Sequence, residues 1–299
     1  MENPVYKGRT ADHLPFKILA DYAVRLIKSP DEVKLTKPVL KFLRTEGAEE
    51  SLVLAESGLY NSKSQILELR ANVDLKTDDG YACQTSHARV FVREKRIEGD
   101  EEIACSGSFG QTSGHAFEIN DDYREFVFKR GMTARIIPKK ADMIANEGAG
   151  NMPVSSNPRV SFGGDEPIDV KAVKAIYRGQ KTTLSGQVDV RQKESQILAD
   201  NMVLLRKALV GKDVNAPKYG YIETIVATGD FKYITPKTSV SGAKGVYERD
   251  KNIITVTGNV HYVEKGGNTA TGERMVYDLT KDRVFLGGGD GKVVLKIGQ

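Results

Sequence analysis

The sequence predicts an all-β protein that is built from two modules. Apolar and polar residues alternate along most of the chain, and a period of two is typical of strands with one buried face. The clearest runs are Ile66–Leu75, Thr182–Val190, Ile225–Tyr233 and Ile254–Tyr262. At 299 residues the chain is also long for one hydrophobic core, because single cores seldom grow past about 250–300 residues. Two modules of ordinary size are therefore the first expectation.

The alternation fails in one internal segment, which we take as the boundary between the modules. Between Lys139 and Pro167 the sequence is rich in glycine, serine, proline and asparagine, a composition typical of linkers and loops. We therefore predict a first module at residues 1–138, a linker at 139–166 and a second module at 167–299. The terminal strands that could pair with other chains are expected at Glu125–Ile137, Ile168–Tyr177 and Gly291–Ile297.

Composition and charge exclude several classes of protein. The chain is 39% hydrophobic and 28% charged, which is a globular composition and excludes disordered and collagen-like chains. Residues 1–138 hold 20 Lys+Arg against 22 Asp+Glu, net −2, and residues 139–299 hold 24 against 18, net +6. This charge is too small to indicate nucleic-acid binding, although the excess in the second half permits contact with an anionic lipid. No apolar run approaches the ~18 residues of a membrane span, and residues 1–30 lack a signal-peptide core, so the chain as given is expected to be soluble.

Helical periodicity is hard to find. Ala20–Ile27 has room for one helical turn, but Pro30 and the alternation of Val33–Leu43 favour strands around it, and we predict β structure there. Turn-forming residues separate the alternating runs, as at Thr77–Gly80 and Lys265–Asn268. These turns predict hairpins or short connections between strands.

A short motif recurs in both halves of the chain. It begins at a tyrosine and ends in a small residue, a polar residue and a valine, and its copies run from Tyr60 to Val73, from Tyr177 to Val188 and from Tyr247 to Val260. The small residues are Ala71, Gly186 and Gly258, and Gly229-Asp230-Phe231 and Gly107-Ser108-Phe109 look like degenerate copies. Repeats of about 25–45 residues are typical of stacked β architectures, in which each unit buries its apolar face on its neighbours.

The recurring glycines have two interpretations. Under strict alternation Gly186 shares a face with Leu184 and Val188, and Gly229 and Gly258 are placed equivalently in the interior. A glycine within a strand usually marks a bulge, a bend or the close approach of another group, and at any one position a bend in a curled sheet is the simpler explanation. Their recurrence favours the second interpretation, which is that the interior is deliberately left with room for an alkyl chain.

The residues that share a face with these glycines are the candidate lining of an apolar groove. Core packing alone predicts the same residues, because both roles need alternating apolar side chains on one face. The set is Leu67, Leu69, Val73, Leu75, Leu184, Gly186, Val188, Val190, Gly229, Phe231, Ile254, Val256, Gly258 and Val260.

Several short motifs of this chain also occur in a known family. In the second half they are Tyr177, Gly186-Gln187-Val188-Asp189-Val190, Leu198-Ala199-Asp200 and Val256-Thr257-Gly258-Asn259-Val260. In the first half they are Ala20-Asp21-Tyr22-Ala23-Val24, Leu35-Thr36-Lys37-Pro38, Gly58-Leu59-Tyr60, Leu69-Arg70-Ala71-Asn72-Val73 and Asp79-Gly80-Tyr81. Through their order, residues 167–299 resemble the OstA-like lipopolysaccharide-transport protein LptA, and residues 6–138 resemble its inner-membrane partner LptC.

The resemblance implies a fold, a function and partners. The family's fold is an open, twisted β-jellyroll whose interior groove receives the acyl chains of lipopolysaccharide. The resemblance implies a non-enzymatic carrier in the periplasm of a Gram-negative bacterium, without cofactor or metal, that passes lipid from the inner towards the outer membrane. Its partners would be lipopolysaccharide and other transport components, with edge-to-edge association of subunits. LptC-like proteins begin with a membrane-anchoring helix and LptA-like proteins with a signal peptide, and this sequence contains neither.

Other chemistry has little support in the sequence, and some questions stay open. His13, His87, His115 and His261 lack the spacing of metal ligands, and adjacent acidic residues point to opposite faces of a strand rather than to one catalytic site. Two functions from other classes are kept as alternatives: a polysaccharide-acting β-helix enzyme and a self-assembling β-scaffold of the bactofilin type. The two cysteines, Cys83 and Cys105, are compatible with one disulfide or with two free thiols.

Overall fold

The computed structural model describes residues 1–78, 80–107, 110–120, 123–137, 166–208, 219–281, 283–287 and 294–296. These residues form strands and turns but no helix, which confirms the all-β prediction. In particular, none of them belongs to a helix that could cross a bilayer. The chain divides into two compact units, one around Met1–Met132 and one that takes up most of the chain from Thr133 onward. The predicted linker 139–166 lies almost entirely outside the described residues, as does much of the predicted terminal strand Gly291–Ile297.

The first half of the chain consists of short and long strands in alternation. In chain order they are β1 (Val5–Arg9), β2 (Pro15–Leu19), β3 (Tyr22–Arg25), β4 (Glu32–Thr36), β5 (Val39–Phe42), β6 (Ser51–Leu54), β7 (Ser57–Asn61), β8 (Ile66–Lys76), β9 (Ala82–Phe91), β10 (Arg96–Gly99), β11 (Ile103–Gly107), β12 (Gly110–Asn120) and β13 (Glu125–Ile136). The strands predicted around Ala20–Ile27 are present as β2 and β3, and the alternating segment Val33–Leu43 forms β4 and β5.

These strands form two antiparallel sheets that share their long members. Sheet 1 has the order β1-β2-β5-β6-β8-β9-β11-β12. Sheet 2 has the order β3-β4-β7-β8-β9-β10-β12. Because β8, β9 and β12 run through both sheets, the two sheets are halves of one folded layer.

A β-bulge marks the point where β8 passes from one sheet to the other. Ala71 and Asn72 adopt left-handed conformations, with φ of 61° and 49°. The pairing with β9 moves from Arg70 opposite His87 to Val73 opposite Thr85, so two residues of β8 face one residue of β9. Such a bulge bends a strand and increases its local twist. The recurring motif of the sequence therefore marks the corner of the folded layer.

A disulfide strengthens the one place where a short strand replaces a long one. Between β9 and β12 the layer contains two separate pieces, β10 in sheet 2 and β11 in sheet 1. Cys105 of β11 lies directly opposite Cys83 of β9, and the two form a disulfide. This decides between the two states of the cysteines that the sequence left open.

The second half of the chain consists mostly of long strands. They are β14 (Ile168–Ala172), β15 (Lys174–Arg178), β16 (Lys181–Gln192), β17 (Ser195–Ala208), β18 (Tyr219–Ile234), β19 (Thr238–Glu248), β20 (Ile253–Glu264), β21 (Thr269–Asp278), β22 (Arg283–Gly287) and β23 (Val294–Lys296). Strands β16 to β21 pair consecutively and antiparallel. The segment Ile168–Tyr177, predicted as one terminal strand, forms the two strands β14 and β15.

Three bulges cross this second layer in one line, which we call the bulge seam. Each consists of a glycine and a polar residue in left-handed conformation, Gly186-Gln187 in β16, Gly229-Asp230 in β18 and Gly258-Asn259 in β20. In each case the register with the neighbouring strand shifts by one residue at the pair. The seam divides the layer into leaf A, which contains Lys181–Ser185 of β16 and ends at β22, and leaf B, which contains Val188–Gln192 of β16 together with β14 and β23.

The structure corrects the interpretation of the three glycines as interior gaps. A Cβ atom added at Gly186, Gly229 or Gly258 would lie 2.8 Å from the Cβ atom of Val173, Asp200 or Ala243, respectively, and all three neighbours are exposed. Left-handed φ values turn these residues out of the alternation that extended residues follow. The glycines therefore make the bend and do not leave room inside the layer.

We expect loss of the disulfide to destabilise the first unit. Replacing Cys83 and Cys105 together by alanine removes a crosslink between residues separated by 22 positions, which corresponds to about 3 kcal/mol in the free energy of unfolding on the chain-entropy model. Urea unfolding followed by circular dichroism measures this. A reductant should lower the midpoint of the natural protein and leave that of the double variant unchanged. An equal response of both proteins would contradict the prediction.

We also expect Gly258→Ala to destabilise the second unit by about 1–2 kcal/mol, because an L-residue is strained in a left-handed conformation and the new methyl group would contact Ala243. Gly266→Ala is the matched control, since no atom lies within 4 Å of its added Cβ, and its effect should stay within about 0.5 kcal/mol. The urea midpoints of both variants give the comparison. Two equal midpoints would show that the seam glycine is not required for the bend.

Candidate functional site

The inner face of sheet 1 carries one continuous row of side chains, which we call row 1. Its members are directly opposite one another in adjacent strands, and they are Tyr6, Ile18, Leu40, Val53, Leu75, Cys83, Cys105 and Thr112. From Ile18 to Cys105 every member is at most 6% exposed, whereas Tyr6 at the outer end is 37% exposed. Row 1 is therefore closed to water along its length and open at one end.

Sheet 2 carries a corresponding row, which we call row 2. It consists of Val33, Tyr60, Leu67, Val90, Ile97 and Ile119. From Tyr60 onward each side chain is at most 4% exposed. The rings of Tyr6 in row 1 and Tyr60 in row 2 have centroids 5.0 Å apart, so the two inner faces are in contact at this end.

The second unit has the same construction on the two sides of its bulge seam. Leaf A carries the row Thr182, Leu204, Ile225, Tyr247, Ile254, Tyr277 and Val284, and next to it the row Leu184, Met202, Ala227, Gly245, Val256, Met275 and Leu286. Leaf B carries the row Val170, Val190, Ile197, Tyr233, Val240, Tyr262 and Ala270. Most members are buried, and exposure increases towards β22, where the layer has its edge.

The apolar candidates chosen from the sequence all lie on these inner faces. Each of the following is at most 6% exposed: Leu67, Leu69, Val73, Leu75, Leu184, Val188, Val190, Phe231, Ile254, Val256 and Val260. Val188, Phe231 and Val260 follow directly after the three bulges, in leaf B. The face assignment is therefore sound for the apolar residues, while the glycines of the same set belong to the seam.

Comparison with known protein families gives a match in each half. Residues 2–136 match the model for lipopolysaccharide-assembly, LptC-related proteins, and residues 168–283 match the model for the LptA/(LptD N-terminal domain) lipopolysaccharide-transport protein. The chain joins an LptC-related module to an LptA-like module. Both families are non-enzymatic and act in lipopolysaccharide transport, so the protein is a non-enzymatic component of that transport in the periplasm. The predicted family and the expectation of a non-enzyme are thereby confirmed, and the polysaccharide-acting enzyme is excluded.

Solved structures are similar as well. Among them is the crystal structure of LptH, the LptA homologous periplasmic component of the conserved lipopolysaccharide transport device from Pseudomonas aeruginosa, with 18% sequence identity and a TM-score of 0.38. The match covers 45% of this chain and 96% of that chain. No curated protein matches the sequence.

Charged side chains of the LptC-related module lie on the outer faces of its sheets. Glu68 forms an ion pair with Arg70 at 2.5 Å and lies 3.2 Å from the His87 ring, and the Arg70 hydrogen bonds hold the pKa of Glu68 below its usual value. Lys129 has the same effect on the pKa of Glu118. The named inner rows of both modules contain no carboxylate, amine or guanidinium group. In the part of the chain that the structure describes, no three metal-ligating side chains lie close enough to hold an ion.

Tyrosines are the part of the inner rows that the sequence did not reveal. Tyr60, Tyr233 and Tyr247 are at most 7% exposed. Burial raises the pKa of each hydroxyl group, and in Tyr60 the neighbouring Tyr6 phenol adds to the effect. All three side chains are therefore neutral at physiological pH. Tyr60 and Tyr247 begin copies of the recurring motif, so the signal was present, but a tyrosine at the start of a repeat does not by itself indicate which face it occupies.

Proposed function

We propose that this protein carries the acyl chains of lipopolysaccharide between the inner faces of each module and passes them from the LptC-related to the LptA-like module, towards the outer membrane. The observation that supports this is the continuity of the rows, which cross strand after strand without a charged side chain. A protein that only needed a stable core has no use for an uninterrupted row from one edge of a sheet to the other. Each position in such a row is an equivalent apolar subsite.

The energy of hydrocarbon in water explains why a protein path is needed. Each methylene group exposed to water costs ~0.8 kcal/mol, so an acyl chain of twelve carbons would cost roughly 10 kcal/mol to cross an aqueous space alone. Movement between equivalent apolar subsites exchanges one hydrocarbon contact for another. Transport along the row then needs no large barrier at any single step.

The inner faces are closed without lipid, so the proposal includes a way for acyl chains to enter. The two halves of each layer are joined through the backbone at the bulges, while across the interior they meet through side chains. An acyl chain that separates the halves replaces apolar contacts between side chains by apolar contacts with lipid. The free-energy cost of opening is therefore small compared with the gain from removing the chain from water.

We further propose module limits at residues 1–138 and 167–299, and pairing of free strand edges with other transport components. An open edge presents unpaired N–H and C=O groups that a strand of another chain can complete. Strand β22 with Phe285, which is 57% exposed, and the neighbouring β23 form such an edge in the LptA-like module. The Cys83–Cys105 disulfide is in keeping with an oxidising compartment such as the periplasm.

Photo-crosslinking tests the lipid-binding faces. A benzophenone side chain at Leu75, Val188 or Val260 should capture lipopolysaccharide, because these positions lie on the buried inner faces. The adjacent exposed positions Lys76, Gln187 and Asn259 are matched controls and should give several-fold less product. Capture at the exposed positions that equals or exceeds capture at the inner ones would reverse the assignment of faces.

Light scattering separates a lipid-binding bridge from a self-assembling scaffold. If strand edges and inner faces serve lipopolysaccharide transport, adding lipopolysaccharide should change the mass distribution of the particles. A scaffold of the bactofilin type would form the same polymer in either condition. An identical distribution with and without lipopolysaccharide, over a tenfold range of protein concentration, would count against the bridge.

A further inference from the structure

The hydroxyl group of Tyr60 is a polar atom buried in an otherwise apolar face. Tyr60 is 4% exposed, and its neighbours in row 2 are Val33 and Leu67. No group in the described part of the chain meets its hydroxyl oxygen in hydrogen-bond geometry. Phenylalanine would fill the same space without leaving a buried polar atom unsatisfied, and buried hydroxyl groups are otherwise almost always hydrogen-bonded.

The position of Tyr60 within row 2 is at the boundary between interior and solvent. Next in the row is Val33, which is only half-buried, and opposite Val33 on β3 lies Arg25, which is exposed. The Arg25 Nε atom donates a hydrogen bond to the Pro30 carbonyl oxygen at 2.6 Å, which orients the guanidinium group. Since adjacent strands are ~4.8 Å apart, Arg25 and Tyr60 are separated by roughly 10 Å.

The order of groups along this row matches the order of groups in an anionic lipid. From Ile119 to Leu67 the row offers hydrocarbon, then a neutral hydroxyl donor at Tyr60, and then a cation at Arg25. An acylated phosphosugar offers an acyl chain, then an ester or amide carbonyl, and then a phosphate. Tyrosine can donate to a carbonyl oxygen, and arginine binds phosphate through charge-assisted hydrogen bonds.

We propose that Tyr60 and Arg25 form a site for the polar end of the lipid at the solvent-facing end of row 2. The Tyr60 hydroxyl group donates a hydrogen bond to the carbonyl oxygen of an acyl linkage, and the Arg25 guanidinium group binds the phosphate. Tyr6, at 37% exposure and in ring contact with Tyr60, covers this end until lipid arrives. This site rests on the proposed function, because it determines how deep an acyl chain lies between rows 1 and 2.

Binding of three related probes to the full chain tests the site. The reference probe is a synthetic phosphorylated monosaccharide lipid A with ester- and amide-linked chains, the second has ether-linked chains of equal length, and the third lacks the phosphate. The natural protein should prefer the reference over the ether probe by roughly 2- to 10-fold, the contribution of one hydrogen bond, and over the dephosphorylated probe by roughly 3- to 10-fold. Tyr60→Phe should lose only the first preference, and Arg25→Gln only the second.

Two control variants separate the site from general effects. Tyr22→Phe removes the hydroxyl of an exposed tyrosine on the same strand as Arg25, and Lys28→Gln removes a nearby exposed cation, so both should keep both preferences. A Tyr60→Phe or Arg25→Gln variant that keeps its preference overturns the role of that residue. Equal affinity of the natural protein for all probes overturns this site and leaves the carrier function standing, whereas no binding of any probe overturns both.

Discussion

Each module depends on a pair of left-handed residues in the middle of a long strand. A flat antiparallel sheet with one apolar face would leave that face in water, and a second sheet would normally be needed to cover it. The bulges instead bend the strands so that one layer covers itself. Left-handed conformation is unfavourable for most residues, and the chain places glycine followed by glutamine, aspartate or asparagine at the seam of the LptA-like module. In the LptC-related module Ala71 and Asn72 adopt the same conformation without a glycine.

The alternation of the sequence predicted the strands and their buried faces because the bulge keeps the parity of the alternation. Leu184 and Val188 are both buried although Gly186 and Gln187 between them form the bulge, since two inserted left-handed residues return the strand to its original face. For the same reason the alternation gave no warning that Gly186 had left the interior. The prediction assumed an extended backbone at every residue, and that assumption fails wherever φ is positive.

Contacts between distant strands could not be predicted from the sequence. A separation of 22 residues between Cys83 and Cys105 fits many registers, and only the division of one strand into β10 and β11 places the two cysteines opposite each other. The same holds for Tyr6 and Tyr60, which belong to different sheets and meet because both layers end at the same side of the module. Local patterns determine which face a residue occupies, whereas register and strand order determine which residue it meets.

A path for lipid should contain few hydrogen-bonding groups, because a strong polar contact at an intermediate position would hold the lipid there. The two modules differ in this respect in an instructive way. In the LptA-like module the hydroxyl group of Tyr233 is hydrogen-bonded to Ser195, so it is satisfied within the protein and offers nothing to a passing carbonyl group. The Tyr60 hydroxyl has no such partner on its own or the adjacent strands, and it lies at an end of its row instead of in the middle. A polar contact at that end can select and orient a lipid before the acyl chains reach the uncharged rows, and it adds no barrier to movement beyond them.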